Sequence, residues 1–259
     1  MLNPIFEQLG TFFFVFIRVI AIFSAIPFLG SKIVPVKVKI GLSLLIGIIL
    51  TPVLGVHALL PESIAGLAIG IMREALIGIA IGFMVKLVFS SMEIAGQVAG
   101  MQMGFAVANV IDPQTSSQIS VLAQVYNLIG ILIFFTLNMH IIFISVIKES
   151  FAIIPPYGFS VTRGMMDGFL TMTADMCRIA VKLAAPIMVS ILITNIAMGI
   201  MARTVPQLNV FVLGFPITII LGLVVLLFSM PFITSVIGRA YTDLSYNLID
   251  LLKMGGRGG

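Results

Sequence analysis

The residues able to do chemistry in this chain are few, and most stand inside apolar runs. Arg18 lies within FFFVFIRVIAIF, Arg73 and Glu74 within a third apolar stretch, Lys86 near its end and Lys182 in a fifth. Ionisable groups at membrane depth are costly and mark either internal pairs or wet paths. A central Arg costs about 2.5 to 3.5 kcal/mol on the insertion scale, against roughly 0.3 to 0.6 gained per Leu, Ile, Phe or Val. The apolar residues between Phe12 and Phe23 offset that cost, yet Arg18 still needs a partner. Two readings stay open for each charge: snorkelling or an internal ion pair, and exposure to a wet seam or a neighbouring subunit. His57 and His140 are far apart, and Cys177 stands alone, so neither a metal cluster nor a disulfide framework is spelled out. GxSxG, HExxH, Walker A and strand-to-helix GxGxxG patterns are all missing, and no nucleophile and base pair stands out. An enzyme is therefore the least supported class, and no cofactor is expected.

The elements that must position these groups follow from composition. Of 259 residues, 60% are hydrophobic and 9% charged, far from the quarter charged of a soluble domain. The chain reads as an integral membrane protein. Its net charge of +4 is scattered, with no run dense enough to follow a phosphate backbone, so nucleic acid is not an expected partner. Six apolar stretches reach the ~20 residues that cross about 30 Å of hydrocarbon: 10–30, 39–60, 64–90, 121–147, 179–202 and 208–238. None alternates like a barrel strand, so the expected fold is all-α. The first stretch lacks a basic lead and a clean cleavage site, so it is expected to be retained.

Positive charges do not settle orientation. Lys32, Lys37 and Lys39 in the first loop argue that it is cytoplasmic, but six full crossings would then put Arg163, Arg178, Arg239, Lys253 and Arg257 on the opposite side. Hairpins packed against protein, in place of some full spans, would remove the conflict.

Small residues mark close packing. GLAIGIM at 66–72 and GIAIGFM at 78–84 each carry Gly four residues from Gly, and Gly96, Gly100 and Gly104 continue the spacing. Such strips serve tight helix association, within the chain or with other chains, and the second is the reading taken forward. Beside the strip, Glu93 and Gln97 form a polar stripe that should meet protein or water. Pro113 disfavours helix at Asp112, and Thr115, Ser116 and Ser117 add turn chemistry, with Thr115 and Gln118 at capping-box spacing. The order is helix, break, helix. Phe105, Val107, Val110 and Ile111, with small Ala106 and Ala108, make the break apolar, which suits either a plain connection or a re-entrant turn that closes a wet passage by dewetting.

Three ordered motifs then carry a resemblance: EIAGQVAGMQMGFAVANVIDPQ, LIFFTLNMH and ARTVPQLNVFVLGFP, with FIRVIAIFSAIPFLGSKIVPVKVKIGLSLLI before them. Together they resemble the FliR family, export-gate components of bacterial type III secretion, over nearly the whole chain. Where that family commonly shows Asn-Gly-His, this chain has Asn138, Met139 and His140, which bears on the local turn. The resemblance implies assembly with FliP and FliQ into a helical, closed conduit for unfolded flagellar proteins. It implies a FliP-like part over about 1–178 and a FliQ-like hairpin over about 179–259. It also implies contact with FlhB, FlhA and the basal-body ring, in the bacterial inner membrane. By the same resemblance the segment from about Phe105 to Ser120, with Phe105, Val107, Asn109, Val110, Ile111, Asp112 and Pro113, is the plug. Glu93, Gln97, Met101, Gln102 and Met103 would line the conduit or meet neighbouring subunits, and Arg203, Pro206, Gln207 and Asn209 would do so near the entrance.

Two amphipathic segments complete the expectation: Met165, Phe169, Met172 and Met176 at helical spacing, and Leu244, Leu248, Leu251 and Leu252 after Arg239. Either is a candidate docking face for FlhB or the ring. The rival classes are a stand-alone secondary transporter or ion channel with Arg73 and Glu74 as a relay, and a purely structural scaffold. A virulence injectisome is the alternative setting for the export reading.

Overall fold

The computed structural model describes residues 3–30, 34–56, 58, 60–61, 63–105, 120–205 and 210–256. The helices are α1 (Asn3–Ala25), α2 (Pro27–Gly30), α3 (Val36–Leu54), α4 (Ile64–Met103), α5 (Val121–Thr136), α6 (Met139–Ile153), α7 (Arg163–Thr204) and α8 (Val210–Gly256). No strand occurs among the described residues. The protein is an all-α membrane protein, with five helices long and apolar enough to cross a bilayer and a bent pair as a sixth candidate.

Three of the expected segments are longer than their apolar cores. Helix α4 runs on past residue 90 to Met103, 40 residues in all. Its last turns contain no breaker, and Met92, Ala95, Gly96, Ala99, Gly100 and Met103 form one buried face at helical spacing. The amphipathic stretch after Pro155 and the fifth apolar segment are one 42-residue helix, α7, with Pro186 inside it. The sixth segment and the leucine repeat after Arg239 are likewise one 47-residue helix, α8. At 1.5 Å per residue these helices are about 60 to 70 Å long, roughly twice a hydrocarbon core of ~30 Å.

The fourth segment is instead broken. Helices α5 and α6 meet at a bend of 72°. Asn138 stands at the break with φ 53° and ψ 29°, the left-handed region. Asn tolerates that region better than other side chains do. The turn therefore forms with Met139 directly after Asn138, where the resemblance led to an expected Gly.

The described residues fall into two compact units that interleave in sequence: residues 1–88, 138–173 and 241–259, and residues 89–137 and 174–240. The chain passes from one to the other inside α4, α7 and α8 and at the α5–α6 bend.

In the first unit α1 and α4 approach closely because α4 offers glycines. A side chain at Gly78 would sit 2.6 Å from the Arg18 carbonyl oxygen, and one at Gly82 would sit 2.8 Å from that of Ile22. Phe14, Val15, Val19, Ile22, Ile77, Ile81 and Met84 are buried around this crossing. The end of α8 docks on the start of α7: the Thr162 hydroxyl donates to the Met254 carbonyl at 2.9 Å, and Leu251 lies beside Gly168. Leu244, Leu248, Leu251 and Leu252 are all buried. The leucine face expected to dock partners is thus covered within the chain. Of the α7 face, Met165 is buried and Phe169 half-buried.

In the second unit the same device recurs. A side chain at Gly96 would sit 2.6 Å from the Ala123 backbone nitrogen, and one at Gly100 would collide with the Ser120 hydroxyl. Tyr126 is fully buried and donates to the Leu183 carbonyl at 3.2 Å. The glycine strips of α4, read as assembly surfaces, pack against this chain's own α1 and α5.

Candidate functional site

Two constellations gather the polar residues, one in each unit. In the first, the Arg18 guanidinium is 0% exposed and meets Glu74, also 0% exposed. Nε donates to one carboxylate oxygen at 2.6 Å and Nη2 to the other at 3.1 Å. Nη1 donates to the Ser150 hydroxyl at 3.0 Å, and Nη2 also to the Ile154 carbonyl at 3.0 Å. The Phe151 ring lies 3.6 Å from the guanidinium carbon, in cation–π range. Gly78, one turn beyond Glu74, is what lets the α1 backbone come near enough for this contact. A fork donor on a two-oxygen acceptor, with two of the three remaining N–H groups also used, is the arrangement in which a buried charge pair is tolerated. Of the two open readings for Arg18, the structure gives the internal ion pair.

Arg73, the residue before Glu74, turns elsewhere and donates to the Tyr157 carbonyl. Tyr157 holds φ 70°, unusual for an aromatic residue, and its ring packs edge-on to Phe14 at 5.0 Å in the space left by Gly70. Burial pushes the Tyr157 phenol upward, and the Glu74 charge adds to the shift. Arg73 and Glu74 therefore serve different anchors and do not form the relay that a transporter reading needs.

The second constellation is the end of α4. Glu93, Gln97 and Met101 follow one another at four-residue spacing on a face away from the buried one. Glu93 and Gln97 are half-buried and Met101 is 60% exposed. The Gln97 amide donates to the Glu93 carboxylate at 3.4 Å, and Gln102 is exposed beside them. Met103 is on the opposite side and fully buried, so the two methionines expected to share a lining face different surroundings.

The helix stops at Gly104, whose φ of 93° suits glycine. The Gly104 N–H donates to the Met101 carbonyl at 3.1 Å, and the Phe105 N–H to the Gly100 carbonyl at 3.0 Å. This is a Schellman cap. It ends α4 well before Pro113, the residue whose chemistry marks the break in the sequence. Phe105 is half-buried. Val107, Asn109, Val110, Ile111, Asp112 and Pro113 lie outside the described residues, as do Thr115 and Gln118. Helix α5 then begins at Val121 with Ser120 at its N-cap position.

Sequence reasoning missed the partners of this terminus on α8. The Thr218 hydroxyl lies 3.0 Å from the Met103 carbonyl, the Phe215 ring covers Gly104, and the Met103 side chain fills the space above Gly222. A hydroxyl and a glycine three and seven residues beyond an aromatic, inside the apolar first half of α8, were the available signals. At the far end of α7, Arg203 is exposed in the last turn, while Pro206, Gln207 and Asn209 lie outside the described residues. Among the described residues no group of three or more His, Cys, Asp or Glu side chains could hold a metal.

Residues 9–244 match the family described as bacterial export proteins, family 1. The chain belongs to that family. As a family 1 export protein it is 31% identical over 248 residues to the flagellar biosynthetic protein FliR of Escherichia coli strain K12, an alignment covering 95% of this chain and 94% of the relative. It is 32% identical over 244 residues to FliR of Pectobacterium carotovorum, covering 93% and 92%. Against FliR of Bacillus subtilis strain 168 the figures are 30% over 266 residues, 98% and 99%. The central stretch, the α5–α6 bend and the α7–α8 connection of this family 1 chain all fall inside the matched range.

Proposed function

We propose that this chain is the FliR-type core subunit of the bacterial flagellar protein export gate, seated in the inner membrane at the basal body. The observation that carries the reading is the match across residues 9–244, with relatives named flagellar biosynthetic proteins aligned along nearly the whole chain. On this reading it assembles with FliP and FliQ into a conduit for unfolded flagellar proteins, a FliP-like part over about 1–178 and a FliQ-like part over about 179–259 supplying the ring's shape. FlhB, FlhA and the basal-body ring are its further neighbours. The segment from Phe105 to Ser120 is the plug, and the polar stripe of Glu93, Gln97 and Met101 faces the path or a neighbouring subunit.

Physical chemistry supports the assignment in two ways. Exposed apolar stripes are abundant: Val121, Val125, Leu128, Leu132 and Phe135 follow one face of α5, and Phe228 on α8 is 84% exposed. Such surface must meet lipid or protein. A gate for unfolded chains, in turn, has to hold back ions while admitting varied side chains, which suits an apolar closure displaced by the entering polypeptide. The names of the relatives favour the flagellar over the injectisome setting.

The test is native mass spectrometry of the tagged protein, extracted gently from membranes that co-express FliP and FliQ chains. One copy of this chain in a discrete complex with several copies of each partner is expected. Recovery only as a monomer or homo-oligomer would overturn the reading. Deleting residues 106–120 in the assembled complex should make resting membranes leak small ions, and a tight membrane would remove the plug assignment.

A further inference from the structure

An apolar groove of about 380 Å³ lies between α4 and the start of α7, wholly within the first unit. Leu76, Ile79 and Phe83 form the α4 wall and Met165, Met166 and Phe169 the α7 wall, with small Ala80 between them. Every lining side chain is apolar. The groove is open to the surroundings, since Leu76, Ile79, Phe83 and Met166 are all exposed. At one end the Phe83 and Phe169 rings meet edge to face, with centroids 6.0 Å apart. Beyond that end the α4 surface changes character: the next exposed position after Phe83 is Lys86, three residues on, and half-buried Ser90 follows. Lys86 forms no ion pair among the described residues. On the α7 side Arg163 is exposed too, but exposed Asp167 follows one turn later and balances it.

We propose that this groove holds one acyl chain of an anionic phospholipid, whose phosphate meets the Lys86 ammonium. Helix α4 is long and apolar enough to cross a bilayer, so its exposed apolar face is set among hydrocarbon. The place where that face turns from Phe83 to Lys86 is where a lipid turns from chain to headgroup, and lysine readily carries its charge to that boundary. Width argues for a chain over a protein helix. From Leu76 to Phe83 the wall is ~10 Å long at 1.5 Å per residue. Dividing the volume by that length gives a cross-section of roughly 40 Å², about half that of a helix 10 to 12 Å across. The two methionines suit a flexible occupant, because unbranched thioethers follow irregular apolar shapes. The proposal rests on the membrane character of the chain and needs no part of the export reading.

The test is native mass spectrometry of the full-length chain, extracted in mild detergent after exchange with vesicles of equal phosphatidylglycerol and phosphatidylcholine. One retained phosphatidylglycerol per chain is expected, favoured over phosphatidylcholine about fivefold, the factor that one lysine near an anionic headgroup supplies. Lys86→Gln should bring that ratio to about one and Lys86→Arg should keep it, by the same charge argument. Equal retention of both lipids by the unaltered chain, or a preference that survives Lys86→Gln, would overturn the headgroup assignment. Ala80→Phe fills the groove and should remove the bound lipid. Ile79→Trp should do the same from a position 51% exposed, and it keeps the test available if the bulk at position 80 prevents folding. Undiminished retention in a folded groove-filling variant would overturn the site. In membranes that also contain FliP and FliQ chains, a photoreactive side chain at Met166 should capture phospholipid. Capture of a FliP or FliQ chain there in place of lipid would show that protein covers the groove and would overturn the proposal.

Discussion

Arg18 and Glu74, 56 residues apart in sequence and both fully buried, are joined at two points, 2.6 Å and 3.1 Å. The pair ties α1 to α4 and, through Ser150 and Ile154, to the end of α6. Glu74→Gln leaves the guanidinium without its countercharge and should cost about 3 to 5 kcal/mol. The double change Arg18→Met with Glu74→Leu should cost much less, because it removes both charges and keeps the volume. Thermal unfolding in detergent compares the three chains, and equal losses for the single and double changes would contradict the pairing argument.

Glycines at the helix crossings and glycines in open positions should respond oppositely to alanine. Gly78 faces the Arg18 carbonyl and Gly82 that of Ile22, so Gly78→Ala or Gly82→Ala should destabilise by about 1 to 3 kcal/mol through overpacking. Nothing approaches within 4 Å of a carbon added at Gly199, in the interior of α7, and there alanine should stabilise by roughly 0.5 to 1 kcal/mol. Melting temperatures that fell equally at all three positions would show that spacing alone, and not the neighbour, governs these glycines.

Two of the left-handed positions, Gly104 and Asn138, should separate in the same way. Gly104→Ala puts a side chain at φ 93° against Phe215 and should cost at least about 1 to 2 kcal/mol. Asn138→Gly should be nearly neutral, whereas Asn138→Val, which brings a branched carbon to φ 53°, should cost more than the glycine change. Assembly yield with co-expressed partners reads both series.

The stripe on α4 makes a prediction about the path. Photoreactive side chains at Glu93, Gln97 and Met101 should capture a stalled export substrate or a neighbouring gate subunit. The same groups at Met92, Ala95 and Ala99, all buried in the chain, should not. Equal capture at both sets would mean that α4 presents no preferred face.

Much of the architecture was written in local chemistry. Six apolar stretches became helices because spanning segments must satisfy their own backbone groups, and no alternation invited strands. Their ends were less legible. Helix α4 outran its apolar core because nothing before Gly104 breaks it, and α7 and α8 fused segments that differ in hydrophobicity but not in helical pattern. The break between α5 and α6 sits inside a largely apolar stretch and depends on one asparagine at positive φ, a conformation that periodicity does not reveal.

For the candidate site the division is similar. Sequence alone determined that Arg18 needs a partner and that Glu93 and Gln97 share a stripe, because each follows from transfer cost or helical spacing. Only the tertiary structure decided that the partner is Glu74 and not Arg73's neighbours elsewhere, that the α4 glycines are spent on this chain's own α1 and α5, and that Met103 turns from the stripe into the hole at Gly222. Those choices depend on which backbones approach within contact distance. Residues 56 and 119 positions apart meet through the packing of whole helices, and no local pattern carries that information.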